Sequence, residues 1–318
     1  MSTRSPGTPR ISVITPLFNC LSHTRAMVES LRASLPAGLS HEIILVDDGS
    51  TDGSREWLSG LGDPFRVILN ERNLGFGAAT NRGAAQAKGA VLALLNNDLI
   101  LARGWIGPML RALDALGPRA GLVGNVQFDA ATLGVDHAGI FINLKGKPEH
   151  DRRSPGVASL LFRPVHRVAA VTGACVLVTR DAWLRLGGFD ETYVNGCEDV
   201  DLCLRASEAG LVNCVALRSR ILHQISASPG RKLRDEENTR RLVLRWRGEL
   251  ALLGSRDWTW DHFCRVVRDP RDFPDAIEAW RMAFFMTRVR RSPPATSLAG
   301  MGVAIDGELA RWRELSSD

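Results

Sequence analysis

The chain has 318 residues, 45% of them hydrophobic and 24% charged, with a formal net charge of +5 at pH 7. This composition excludes a disordered chain and allows one large core or a main domain with an appendage. The mild basic excess suits an anionic substrate, an anionic membrane surface or nucleic acid, and does not choose among them.

Residues 1–10 read as a loose polar tail, with no apolar run of the kind a signal peptide needs. ISVITPLFN (11–19) reads as a buried strand entering a loop, and the spacing of Met27, Val28 and Leu31 predicts a helix from Ser22 to about Ser34. EIILVDDGSTDGS (42–54) is a second strand running into an acidic turn. SREWLSGL is a helix, FRVILNE a third strand, GFGAATNRGAAQAKG a small-residue helix and VLALLNND (91–98) a fourth strand. This alternation predicts an α/β domain with a largely parallel sheet, whose ligands gather at the carboxyl ends of the strands. Several strands end there in polar residues: Thr15 to Asn19, Asp47 to Ser50, and Asn96 to Asp98.

Beyond residue 100 the pattern loosens. NLKGKPEHDRRSPG (143–156) reads as a mobile polar loop. VAAVTGACVLVTR is a strand, or a strand and turn, and is too short and polar to span a bilayer. DAWLRLGGFDE and EDVDLCLRASEAG are helices, and LVNCVALRSRILH is a last strand. From about residue 226 the chain turns rich in Arg and Trp with helical patterns. Six scattered cysteines without a C-x-x-C indicate neither zinc nor a redox pair, and a reducing compartment is expected.

Three groups of residues could carry chemistry. Asp47 and Asp48 form an acceptor-rich turn, equally suited to capping the next helix and to reading a base. Gly75 and Gly77 with Arg72 and Asn81 could let the backbone approach a nucleoside or phosphate, but lack the spacing of a dinucleotide site. Asp98 is either a solvated turn residue or a ligand for a hard cation that takes its remaining ligands from phosphates. Glu198, Asp199 and Asp201 suit the first turn of a helix, yet a cleft-facing carboxylate there could deprotonate a hydroxyl. His223 closes the last strand of this part of the chain.

In this order, ISVITPLFN, VDDGSTDGS, NLGFGAATNRG, LLNND, TGACVLVTR, GGFDE, EDVDLCLR and the terminal histidine resemble the family 2 glycosyltransferases of the GT-A fold, nearest to the rhamnosyltransferase-like bacterial branch. The resemblance covers residues 11–225 and implies a GT-A type α/β domain with a mostly parallel central sheet, followed by a helical extension over 226–318. It implies an inverting transfer of a sugar from a nucleotide-diphosphate donor, UDP- or dTDP-linked, to an acceptor hydroxyl, in polysaccharide or glycoconjugate assembly. By the same resemblance Thr15, Pro16, Asn19, Asp47, Asp48, Asn73, Gly77, Asn81 and Asn97 line the nucleotide. Asp98 is the last carboxylate of a D-x-D in which Asn96 replaces the first, and with His223 it holds Mg²⁺ or Mn²⁺. Asp199 is the general base and Glu198 helps hold the acceptor.

The expected partners are the donor and a saccharide or lipid-linked saccharide acceptor, with no nucleic acid. The expected location is cytoplasmic. The Arg-rich helical segments RRLVLRWR and WRMAFFMTRVRR either pack with Arg outward or lie peripherally on the inner face of the membrane. The alternative function is a catalytically inactive binding module of the same fold.

Overall fold

The computed structural model describes residues 9–162, 164–224, 234–268 and 274–315. Most of the expected N-terminal tail (residues 1–8), and the expected boundary at 225/226, lie outside the described residues. The chain order begins β1 (Ile11–Leu17), α1 (Leu21–Ser34), β2 (His41–Asp47), α2 (Ser54–Ser59), β3 (Phe65–Leu69), α3 (Phe76–Gln86), β4 (Val91–Leu95) and β5 (Leu99–Leu101). Then come α4 (Ile106–Leu116), β6 (Ala120–Asp129), β7 (Val135–His137), β8 (Ile140–Ile142), β9 (Pro148–His150), α5 (Val157–Phe162) and β10 (Val165–Arg167). The series closes with β11 (Cys175–Thr179), α6 (Arg180–Leu186), α7 (Glu198–Glu208), β12 (Val212–His223), α8 (Asp235–Arg268), α9 (Ala276–Met286) and α10 (Ala295–Leu315).

The main sheet has the order β10-β12-β6-β11-β4-β1-β2-β3. Strands β3, β2, β1 and β4 are mutually parallel, as is the pair β6 and β12. Strand β11 runs antiparallel to both β4 and β6 and so joins the two parallel blocks. Every residue of β1 and β4 is buried, because helices cover both faces. One face holds Met27, Val28 and Leu31 of α1 and Met109 and Leu113 of α4 against Val13, Leu45, Ala93 and Leu177. On the other, α3 lies close to the sheet at Gly83, where a Cβ would stand 2.6 Å from Ile14 Cγ2 and 2.9 Å from Val46 Cγ2. The small residues of α3 are thus a packing requirement.

The described residues fall into two compact units, one within Met1–Ile140 and His150–Asp235, the other within Phe141–Glu149 and Glu236–Asp318. The second unit holds α8, which kinks at Trp246, together with α9 and α10. Segment 143–156, expected to be a mobile loop, contains β9 and a turn in which Asn143 Oδ1 accepts from the amides of Lys145 (2.9 Å) and Lys147 (3.0 Å). The Asn143 side chain builds the turn, while Lys145, Glu149, Arg152 and Arg153 remain exposed. Lys147 reaches Glu308 Oε1 at 2.7 Å and stands 4.6 Å over the Trp312 ring, which explains why residues 141–149 belong to the helical unit.

Candidate active site

At the carboxyl ends of β1, β2 and β3 the polar side chains hold one another. Asp47 is wholly buried, accepts from the amides of Gly49 and Ser50, and pairs with Arg55 Nε at 3.2 Å. Asp48 accepts from Asn70 Nδ2 (2.7 Å), from Leu74 N on both oxygens (3.0 Å) and from Gly75 N (2.8 Å). A carboxylate offers about four lone-pair sites, so these contacts fill them. Asn70 in turn accepts from Arg82 at 2.6 Å. Asn19 accepts from Thr51 N and its own amide donates to Ser50 Oγ, both at 2.8 Å, which ties the β1 loop to the β2 turn. Asn73 is exposed and its side chain accepts from Gly75 N.

The second group lies past β4. Asp98 is 5% exposed, and its main-chain oxygen accepts from Gln224 N at 2.9 Å. The pairing of β5 with β12 sets His223 opposite Leu99, and His223 Nε2 stands 3.3 Å from Asp98 Oδ1. On the other side of the ring, Nδ1 is 3.6 Å from Asp136 Oδ2, carried by β7, which pairs with β6 beside β12. Asp136 also meets His150 Nδ1 at 3.9 Å and Arg152 at 3.6 Å. Burial pushes the Asp136 carboxyl up, but the His223 contact and the charges of His150, His223 and Arg152 outweigh it and hold it below the usual carboxylate range. Burial drives His137 well below the ordinary histidine range. Its Nε2 accepts from Thr172 N, so it is neutral. Burial also lowers His150, against the opposing pull of Asp136 and Asp199.

The third group opens α7. Asp199 is partly exposed and accepts from Gly173 N at 2.7 Å and Val200 N at 2.8 Å. Gly173 lets this amide approach closely: a Cβ there would stand 3.3 Å from Asp199 Cβ and 3.4 Å from Phe76. Glu198 is buried and accepts from Gly196 N at 2.6 Å. Asp201, wholly buried, pairs with Arg205 at 2.8 Å, and Arg205 also donates to Gly188 O, which fixes α7 against the turn after α6.

The donor set at Asp98 and His223 fits a divalent cation. Asp98 Oδ1 is buried and, among the described residues, receives no hydrogen bond, while an imidazole nitrogen faces it. No group of three or more His, Cys, Asp or Glu among the described residues forms a closed metal cage. An oxygen and a nitrogen from the protein, completed by phosphate oxygens and water, suit Mg²⁺ or Mn²⁺.

The residues expected at the nucleotide take different places. Thr15 lies within β1 opposite Leu45 and is wholly buried. Pro16, opposite Val46, is likewise buried in the strand. Asn81 donates to Phe189 O (2.9 Å) and Glu191 Oε1 (2.8 Å) and accepts from Phe189 N (2.9 Å). Its amide fastens α3 to the turn after α6. Asn97 donates to Thr24 Oγ1 and anchors the β4 end to α1. Gly77 packs on Phe189. The residues that sequence reading missed are Asn70, Asp136 and His150. The alternation of acidic residues and histidines from Asp136 to Asp151 was a usable signal, hidden in the stretch read as loose.

Residues 12–159 match the family model described as Glycosyl transferase family 2. The chain is 32% identical over 236 residues to the O-antigen biosynthesis protein RfbC of Myxococcus xanthus, covering 70% of this chain and 18% of that protein. It is 28% identical over 216 residues to the N-acetylglucosaminyl-diphospho-decaprenol L-rhamnosyltransferase of Mycobacterium tuberculosis, covering 59% of this chain and 68% of that one. Two curated relatives that align with most of this chain are far longer than it, and the chain spans 29% and 18% of their lengths. Among solved structures, GalNAc-T7 with UDP, GalNAc and Mn²⁺ superposes with a TM-score of 0.62 at 19% identity, covering 91% of this chain and 56% of that one, a likeness of fold. With the parallel strands, the polar rim and these likenesses taken together, the protein has the GT-A fold and belongs to glycosyl transferase family 2.

Proposed function

We propose that this chain is an inverting glycosyltransferase that moves a sugar from a UDP- or dTDP-linked donor to a hydroxyl of a saccharide or lipid-linked saccharide in polysaccharide or glycoconjugate assembly. The observation that carries this reading is the meeting of two buried side chains, Asp98 and His223, 3.3 Å apart at the strand ends. The names of the Myxococcus and Mycobacterium relatives support the polysaccharide and lipid-linked context.

In this reading the nucleoside lies over the rim of Asn19, Asp48, Asn73 and Gly77, with Thr15, Pro16, Asp47, Asn81 and Asn97 fixing the strands and loops beneath it. Asp98 and His223 hold the divalent cation, which when bound would neutralise charge developing on the departing diphosphate. Asp199 takes the proton from the acceptor hydroxyl as that oxygen attacks the anomeric carbon from the face opposite the leaving group, which inverts the centre. Its two main-chain hydrogen bonds fix the carboxylate's direction. Glu198, held by Gly196, borders the acceptor side.

No helix among the described residues is long and apolar enough to cross a membrane. Along α9, however, Ile277, Trp280 and Phe284 are exposed with Arg281, and Arg288, Val289, Arg290 and Arg291 follow, also exposed. That combination suits peripheral contact with an anionic membrane, where a lipid-linked acceptor resides. Liposome co-sedimentation that is lost at high salt is the expected result. No binding at low salt removes the membrane contact.

Thermal unfolding with UDP, dTDP, GDP and CDP, each with Mn²⁺, Mg²⁺ or EDTA, tests the transferase reading. A ligand at about 100 times its Kd adds roughly 2.7 kcal/mol to the folded state, a shift of several degrees. The expected result is a metal-dependent shift with UDP or dTDP. A folded protein that responds to none of the nucleotides contradicts the reading. An inactive binding module would bind nucleotide and leave the donor sugar intact, so donor turnover separates the two.

A further inference from the structure

We propose that Asp136 is a positioning residue for the metal site: it holds the His223 imidazole so that Nε2 faces Asp98. The ring is gripped between two carboxylates brought from separate parts of the chain. Nε2 stands 3.3 Å from Asp98 Oδ1 and Nδ1 stands 3.6 Å from Asp136 Oδ2. His223 is 3% exposed and Asp136 6%, so the ring has little freedom to turn. The strand register builds the arrangement: β12 pairs with β5 on one side and with β6 on the other, and β6 carries β7. Asp136 is itself oriented, since Arg152 lies 3.6 Å from its Oδ1 and His150 Nδ1 lies 3.2 Å from its main-chain oxygen.

The two nitrogens of a neutral imidazole differ, and the group facing one decides what the other can do. A cation on Asp98 and Nε2 would exclude a proton from Nε2 and leave the ring proton on Nδ1, where the Asp136 carboxylate faces it. The Nε2 lone pair then points toward Asp98, where it can donate to a cation. Asp136 never touches the cation in this arrangement and acts only through His223. The inference rests on the reading of Asp98 and His223 as the cation's ligands. It adds that their affinity is set by a residue of the segment after β6.

The test measures Mn²⁺ binding to the full chain by the EPR signal of free Mn²⁺, with saturating UDP or dTDP. The proteins are the wild type, Asp136→Asn, His223→Ala and the double variant. Asp136→Asn is expected to weaken Mn²⁺ binding about 10- to 100-fold. Its unfolding midpoint in EDTA should stay near that of the wild type, an outcome a merely structural role does not produce. The double variant should bind no more weakly than His223→Ala, because Asp136 works through that ring. If Asp136→Asn does not fold, Asp136→Glu keeps an acceptor and should retain most of the affinity, whereas Asp136→Ser should lose it. Affinity of a folded Asp136→Asn within about twofold of the wild type, or full additivity in the double variant, overturns the positioning role alone. A wild type that binds no Mn²⁺ with either nucleotide overturns the ligand reading and this inference together.

Discussion

Strand β2 and the turn after β4 both carry carboxylates after an apolar run, and the two ends differ in what those carboxylates do. Asp47 and Asp48 at the β2 end are filled by amides of their own turn and of the loop after β3, by Asn70 and by Arg55. Asp98 at the β4 end is equally buried, yet its Oδ1 receives no hydrogen bond among the described residues and faces an imidazole. A carboxylate whose lone pairs are taken by main-chain donors builds a loop. One opposed by a second cation ligand keeps its lone pairs for a metal. In the proposed function, the difference separates a scaffold for the nucleotide from a site for its phosphates.

Asp199 stands between these cases, since its oxygens accept main-chain hydrogen bonds while it remains partly exposed. Asp199→Asn should have the largest effect, lowering the rate of sugar transfer about 10²- to 10⁴-fold with nucleotide binding kept. Near-normal turnover in that variant places Asp199 among the loop builders. Asp98→Ala should abolish the metal-dependent part of the nucleotide-induced stabilisation, about 2.7 kcal/mol at 100 times Kd, and leave the midpoint in EDTA little changed. A midpoint that falls equally with and without metal erases the contrast between the two strand ends.

Asp48→Ala should do the reverse. It leaves the amides of Leu74 and Gly75 without their acceptor, which costs roughly 1–3 kcal/mol of stability in EDTA without nucleotide, read by denaturant unfolding. Asn81→Ala should cost about 1–2 kcal/mol by freeing the turn at Phe189, with the donor KM unchanged. A raised KM at unchanged stability returns Asn81 to the nucleotide.

The smallest effect concerns a filled carboxylate in the helical unit. Glu308 is held by Arg311 and Lys147, and its carboxyl is lowered to about 2 from an ordinary 4.5. A lowered folded-state value means its contribution is fully present above about pH 4.5 and is lost as pH falls toward about 2. Wild type and Glu308→Gln should therefore differ by roughly 1 kcal/mol at pH 6, allowing for the solvent reach of Arg311, and converge near pH 2 in urea titrations. A constant difference across that range removes the charge from the explanation.

What could be read in the chain follows from the range of the interactions. The strands from Ile11, His41, Phe65 and Val91, the helices between them and the polar strand ends are set by local patterns of burial and turn chemistry, and they were legible. So was the family, because its motifs are short and ordered. The partners of individual polar side chains were not. Asn81 carries the same amide whether it meets a nucleotide or Phe189, and Asp48 the same carboxylate whether it meets a base or Leu74 and Gly75. Asp136 and His150 escaped because their importance depends on strand pairing across more than eighty residues, which places β7 beside β6 and β12 beside β5.

The sequence by itself determined the α/β alternation, the buried parallel strands and the presence of Asp98, Asp199 and His223 at element ends, since hydrophobic periodicity and chain breaks act between neighbours. Only the tertiary structure decided which carboxylates are filled, which histidine stands between Asp98 and Asp136, and that Phe141–Glu149 joins the helical unit. Those outcomes depend on hydrogen bonds and ion pairs between residues far apart in the chain, and strand register, which no local pattern encodes, brings them within reach.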